Sequence, residues 1–158
     1  KKLAELISEE LWQPMGAEED ANITVDSAGY GLSCGGISST LRDFARFGIL
    51  HLNNGVLKGE QIIPKHWIDD IRSGQHGLDN ASLREMLPNG QYRNQFWIED
   101  KEKTTVMCIG VFGQLIYIAP EYDMVVVKLI SAISEKDTNK LNTLSAIHAI
   151  AQHYQSKD

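Results

Sequence analysis

The sequence predicts an α+β fold, and three features carry the prediction. The first half shows helix caps and 3.6-residue apolar periodicity, the second half changes to short β-branched and aromatic runs, and the closing segment returns to helical spacing. The β-rich runs are joined by turns far shorter than the dozen or so residues that a parallel crossover needs, so they should form an antiparallel meander.

The elements follow in order. KKLAELISEELWQ puts Leu3, Leu6, Ile7 and Leu11 on one helical face, yet the sequence starts inside that pattern with no capping residue, initiator Met or leader before it. That points to a piece of a longer protein. Residues 13–36 are rich in Gly, Asp and small side chains, with Ile23 and Val25 as a short extended stretch, and read as a long loop. Thr40 followed by Asp43 has capping-box spacing; Leu41, Phe44, Ala45, Leu50 and Leu52 mark the buried side of the helix it opens, and Asn53-Asn54-Gly55 ends it. Pro64 starts a shorter helix, PKHWIDDIRSG, and residues 74–90 read as loop with one helical turn in SLREML. YRNQFWIE, TTVMCIG, GQLIYIAP and DMVVVKLIS then read as strands between turns such as EDKEK and APEYD. From Asp137 to Tyr154, Leu141, Leu144, Ile147, Ile150 and Ala151 share a face, predicting a helix packed on the meander.

Composition narrows the function classes. A chain of 158 residues with no linker or repeat reads as a single unit over residues 1–158. Its net charge of −6 and scattered Lys and Arg argue against nucleic-acid binding. The longest apolar run, residues 124–130, is interrupted by Lys128 and falls far short of the ~20 residues of a membrane helix. Two cysteines, Cys34 and Cys108, are too few for a disulfide framework, their spacing does not say whether they meet, and the compartment stays open.

Several motifs invite a catalytic reading. Gly31-Leu32-Ser33-Cys34-Gly35 matches the Gly-x-Ser-x-Gly nucleophile elbow, but that device needs a strand running directly into a helix. Here the preceding strand is weak and the helix starts only at Thr40, so glycines shaping a turn are the simpler reading. Tyr92-Arg93-Asn94 matches the Tyr-x-Asn motif of penicillin-recognising enzymes at the start of a predicted strand, where such spacing is common. His148 and His153 are five apart and do not face together, while His66 and His76 stand alone, so no metal site is expected. Cys108 at the end of an apolar strand reads as a buried thiol rather than a nucleophile. With no Ser-x-x-Lys present, the residues by themselves assemble no complete catalytic set.

Two longer stretches carry a resemblance. GGISSTLRDFARFGILHLNNGVLKGEQIIPKHWIDDIRSG resembles the GG-x-x-x-T-x-R-D-x-A-R-F-G … L-N-x-G … P-x-x-W segment of β-lactamase-related serine hydrolases, which include class C β-lactamases, DD-peptidases, family VIII esterases and 6-aminohexanoate-dimer hydrolases. GVFGQLIYIAPEYDMVVVKLIS resembles the strand pair after that family's third active-site motif, and LWQPMGAEEDANITVDSAG fits the aminohexanoate-dimer hydrolase and esterase branch. The resemblance implies the C-terminal portion of a β-lactamase/transpeptidase-like fold: helices, a three-stranded antiparallel meander and a C-terminal helix.

It also implies acyl-enzyme hydrolysis of ester or amide bonds, with β-lactams in the substrate class and no cofactor. The family's Ser-x-x-Lys and Tyr motif lie upstream of the matching segment, so this chain would hold no catalytic nucleophile and be inert alone. Its implied partners are the N-terminal half of the same protein and a small ester or amide substrate. An unpaired sheet edge left by that half predicts self-association. The third motif falls on Cys108-Ile109-Gly110, where Gly110 would admit substrate to the backbone and the amide of Val111 would donate to the oxyanion. Trp97, Phe112 and Gln114 become candidates for lining the pocket, with core packing as the competing reading. The family's cation or imidazole at the first motif position is absent, since Cys108 stands there, which favours a small-substrate esterase or amidase over an efficient β-lactamase. The alternatives are a complete small esterase using Ser33 and a non-catalytic binding or regulatory relative.

Overall fold

A computed structural model describes residues 1–74, 84–131 and 140–156. Asp137 and the start of SLREML lie outside the described residues, as does the side chain of Leu141. Helix α1 (Leu3–Ile7) continues directly into a π-helical turn over Ser8–Trp12, closed by the Gln13 amide donating to the Ser8 carbonyl at 3.0 Å. A π turn shifts the helical face relative to α spacing. Trp12 and Met15 are consequently the buried residues, whereas Leu6, expected on the buried face, is 46% exposed. The predicted loop contains a small hairpin, β1 (Asn22–Ile23) paired with β2 (Ile37–Ser38).

Helix α2 (Leu41–Leu52) starts where the cap predicts, with the Thr40 hydroxyl accepting from the Asp43 amide at 3.1 Å. The other half of the capping box does not form. Asp43 is fully buried and turns its carboxylate to the amides of Glu18 (2.9 Å) and Glu19 (3.3 Å), the Thr40 hydroxyl (2.8 Å) and the Arg46 guanidinium (3.0 Å). Leu41, expected to be buried, is exposed. Gly48 lets α2 approach the sheet closely, because a Cβ there would lie 2.6 Å from Val125 Cγ1 and 3.3 Å from Ile116 Cγ2. After a short hairpin, β3 (Val56–Leu57) with β4 (Glu60–Gln61), helix α3 (Lys65–Ser73) begins after Pro64 and ends at Gly74 in the left-handed region, as Pro and Gly at those places predict.

The main sheet is a five-stranded antiparallel meander in sequence order: β5 (Gln91–Arg93), β6 (Phe96–Ile98), β7 (Val106–Ile109), β8 (Leu115–Ala119) and β9 (Met124–Lys128). The three expected strands are β7 to β9. YRNQFWIE, predicted as one further strand, is instead a hairpin. Asn94 and Gln95 take φ of 48° and 69°, the two consecutive left-handed residues of a two-residue hairpin turn. The side chains that disguised the turn are used elsewhere: Arg93 grips Asp70 of α3 through two bonds of 2.8 and 2.9 Å, and the Asn94 amide adds a third at 2.8 Å.

Helices cover both faces of the sheet. On one face α4 (Lys140–Gln155) buries Leu144 and Ile147 against Met107, Leu115 and Tyr117. Ala151 is buried too, while Ile150 lies at the rim of that stripe and is exposed. The helix is pinned by Glu99, whose two oxygens meet the hydroxyl of buried Tyr117 (2.8 Å) and His148 Nε2 (2.6 Å). On the other face Ile71 of α3 packs with Phe96, Ile98, Val106 and Ile118, and Phe47 and Leu52 of α2 border them.

His51 carries no sequence signal and proves to be a core residue. It is buried between the rings of Phe47 (4.3 Å) and Phe96 (5.1 Å), with Nδ1–H donating to the Phe47 carbonyl at 3.0 Å. Burial pushes its pKa down to about 4; the Phe47 carbonyl opposes that shift and the Arg72 charge adds to it. The folded state therefore holds the proton less tightly than the unfolded chain, where His titrates near 6.5. Stability should fall as pH drops from about 6.5 to about 4, by roughly 3 kcal/mol in all at ~1.4 kcal/mol per unit. Urea unfolding at pH 7 and at pH 4.5 measures the loss, and equal stabilities would contradict it.

Candidate functional site

The candidate site is the end of β7 and the turn that follows it. β6 pairs with β7 at Ile98↔Val106 and Trp97↔Met107 and no further, whereas β8 continues along the other side through Cys108↔Ile116 and Ile109↔Leu115. The β5–β6 hairpin turns back at Asn94-Gln95, so Cys108 and Ile109 have a strand neighbour on one side only among the described residues. Backbone groups along such an edge can receive an extended ligand segment.

The turn from Gly110 to Gly113 is closed by two backbone bonds: the Gly110 amide to the Gln114 carbonyl at 2.9 Å and the Gly113 amide to the Gly110 carbonyl at 3.2 Å. Gly113 has φ of 90°, which favours glycine. Val111 and Phe112 at its tip are exposed. Gly110 has a local reason to be glycine, because the place a Cβ would take is occupied by the Gln114 side chain, with Oε1 at 2.3 Å. Cys108 points into the apolar layer between the sheet and helices α2 and α3, and burial pushes its thiol up to about 12. At neutral pH it is a thiol, neither a nucleophile nor a cation.

The residues expected to form one pocket are not gathered into one. Gln114 lines a narrow apolar crevice with Met107, Ile109 and Leu144, but neither Trp97 nor Phe112 borders it. Trp97 stands beside the point where β7 loses its second neighbour, packed on Tyr92 with ring centroids 4.3 Å apart and the rings tilted by 51°. Tyr92-Arg93-Asn94 is thereby accounted for as a hairpin stapled to α3. A wider cleft of about 320 Å³, bordered by Pro88, Glu99, Asp100, Lys103 and His148, lies toward the opposite end of the strands.

Ser33 sits in the exposed turn of the β1–β2 hairpin. The chain there doubles back, the Leu32 amide bonding the Thr24 carbonyl and the Thr24 amide the Gly36 carbonyl, and does not run from a strand into a helix. Among the described residues its hydroxyl has no hydrogen-bonded base. The same residues contain no cluster of three or more His, Cys, Asp or Glu able to hold a metal ion, and no helix long and apolar enough to cross a membrane. The motif residues Thr40, Asp43, Arg46, Gly48 and Gly55 have plain structural work: capping, anchoring the 18–19 backbone, close helix–sheet approach and a tight turn.

No family model matches the chain. The 6-aminohexanoate-dimer hydrolase of Paenarthrobacter ureafaciens is 35% identical over 147 residues, covering 92% of this chain and 37% of that protein. A solved Bacillus anthracis protein that carries the 6-aminohexanoate-dimer hydrolase name superposes with a TM-score of 0.81 at 32% identity, over 99% of this chain and 39% of the other. A Bacteroides dorei DSM 17855 protein that carries a beta-lactamase name superposes with a TM-score of 0.67 over 96% of this chain and 52% of the other; at 16% identity it speaks for the fold alone. The chain thus spans little more than a third of the 6-aminohexanoate-dimer hydrolase relatives; over that span it is similar to them in sequence, and it shares its α+β fold with them and with the protein that carries the beta-lactamase name.

Proposed function

We propose that this chain is the C-terminal portion of a β-lactamase-like serine hydrolase that cleaves small esters or amides through an acyl-enzyme. The nucleophilic serine, its lysine and the tyrosine would come from the rest of the protein. The observation that carries the reading is the one-sided end of β7, which leaves Cys108 and Ile109 as an open strand edge among the described residues, leading into the turn that holds Gly110 and the exposed Val111. In this reading the edge aligns the substrate backbone and the Val111 amide donates to the oxyanion beside the nucleophile's own amide, the kind of preorganised donor whose removal costs roughly 10²–10³ in kcat.

Trp97 stands on the open side of β7, Phe112 is at the exposed tip of the turn, and Gln114 lies on the paired side at the start of β8. With Cys108 turned inward and uncharged, no cation meets a substrate carboxylate at the first motif position, which favours a neutral ester or amide over a β-lactam. Among the described residues β9, at the margin of the sheet, has a strand neighbour on one side only; its other side is where the N-terminal half would add its strands, and it gives the chain alone a route to self-association.

The test compares the chain with the full-length protein on p-nitrophenyl butyrate and nitrocefin, with a fluorophosphonate label as readout. The full-length protein should hydrolyse the ester faster than nitrocefin and carry the label upstream of Lys1, and the chain alone should do neither. A label on Ser33 would overturn the proposal.

A further inference from the structure

We infer that Gln114 is a positioning residue for the oxyanion-binding turn, an inference that rests on the hydrolase reading above. Val111 lies in a four-residue turn whose tip is exposed, and an oxyanion donor must be held within roughly 0.5 Å of its working position. The turn hangs from the end of the β7–β8 ladder, where Ile109 pairs with Leu115 and the Gly110 amide bonds the Gln114 carbonyl, but neither of its two backbone bonds ties it to the segment that follows β9. The Gln114 side chain supplies that second tie. Its side chain folds back over Gly110, with Oε1, Cβ and Cδ lying 2.3, 3.0 and 3.1 Å from where a Cβ on Gly110 would be. Its Nε2 then donates to the Ile130 carbonyl at 2.8 Å, two residues beyond the end of β9.

One side chain therefore fills the space over the residue before Val111 and is itself tied to the segment that leaves the sheet's last strand. Leu115 pairs with Lys128, so the link crosses just past the last paired residues of β8 and β9, where no ladder bond holds the two segments. A glutamine suits this place because it needs both reach and a donor. Methionine keeps the length and loses the donor, and glutamate keeps the shape but offers only acceptors to a carbonyl.

The experiment is steady-state kinetics of the full-length protein on p-nitrophenyl butyrate with Gln114→Met and Gln114→Glu, alongside thermal melts. Both variants should lose about 10- to 100-fold in kcat with KM within about twofold, because a displaced oxyanion donor is missed in the transition state far more than in the bound substrate. Wild-type kcat in either folded variant overturns the inference, and so does a change confined to KM, which would make Gln114 a substrate contact instead. Should Gln114→Met fail to fold, the near-isosteric Gln114→Glu decides alone. A wild-type full-length protein that hydrolyses neither ester nor amide removes the hydrolase reading itself, an outcome distinct from loss of the Gln114 effect.

Discussion

Asp43→Ala is expected to destabilise the protein by roughly 3 kcal/mol, read as a lowered urea midpoint at unchanged slope. The carboxylate is 0% exposed and has four partners, two of them backbone amides some 25 residues upstream at Glu18 and Glu19. Burial alone would raise its pKa; the Glu18 amide, the Thr40 hydroxyl, the Glu19 amide and Arg46 outweigh that and hold it below the usual carboxylate range. Truncation takes the acceptor from the two amides and the hydroxyl, which sit on exposed residues where water replaces part of the loss, and removes the counter-charge of Arg46. The effect stays at the low end of the range for a broken buried pair because Arg46 is only partly buried and keeps Glu18. Asp43→Asn, which retains one acceptor oxygen, should cost clearly less, and equal losses for the two variants would contradict this account.

Gly55→Ala should be of similar size, roughly 2–4 kcal/mol, from two separable causes. The residue has φ of 79°, which costs an L-residue about 1–2 kcal/mol. A Cβ would also sit 2.0 Å from the Ile63 carbonyl oxygen, a backbone atom that cannot swing aside. The Gly55 amide closes the end of α2 on the Leu50 carbonyl, and its own carbonyl receives the amides of Ile62 and Ile63, so relief of the clash must disturb the link from α2 to α3. Gly59 is the internal control, with φ of 87° and nothing within 4 Å of the place a Cβ would take. Gly59→Ala should cost only the conformational part, about 1 kcal/mol, and melting temperatures of the two variants separate the causes. Equal shifts would show that the carbonyl clash contributes nothing.

The path from residues to fold was short where physics is local. Thr40, Pro64, Gly74 and the Asn53-Asn54-Gly55 stop act through their own backbone, and the helices they bound fall where those residues place them. The meander was legible because β-branched runs with short connections leave antiparallel pairing as the available arrangement. Departures arose where a side chain answered to a distant partner. Asn94-Gln95 looked like the middle of a strand because neither residue is glycine, and the left-handed turn they form is supported by Asp70 across the structure. Asp43 has the spacing of a local cap, yet its carboxylate is drawn to a loop far upstream in sequence.

The sequence by itself determined the α+β class and the succession of helices, meander and closing helix, since each depends on residue types over a few neighbouring positions, and the resemblance made Cys108-Ile109-Gly110 the expected third motif. Only the tertiary structure decided that β6 releases β7 after Met107, that Gln114 fills the space over Gly110 and reaches Ile130, and that Trp97 and Phe112 stand apart from the crevice Gln114 lines. It likewise placed Ser33 on a surface turn and His51 between two phenyl rings. Register, burial and side-chain reach come from how separate segments pack together, and no local pattern of residues records them.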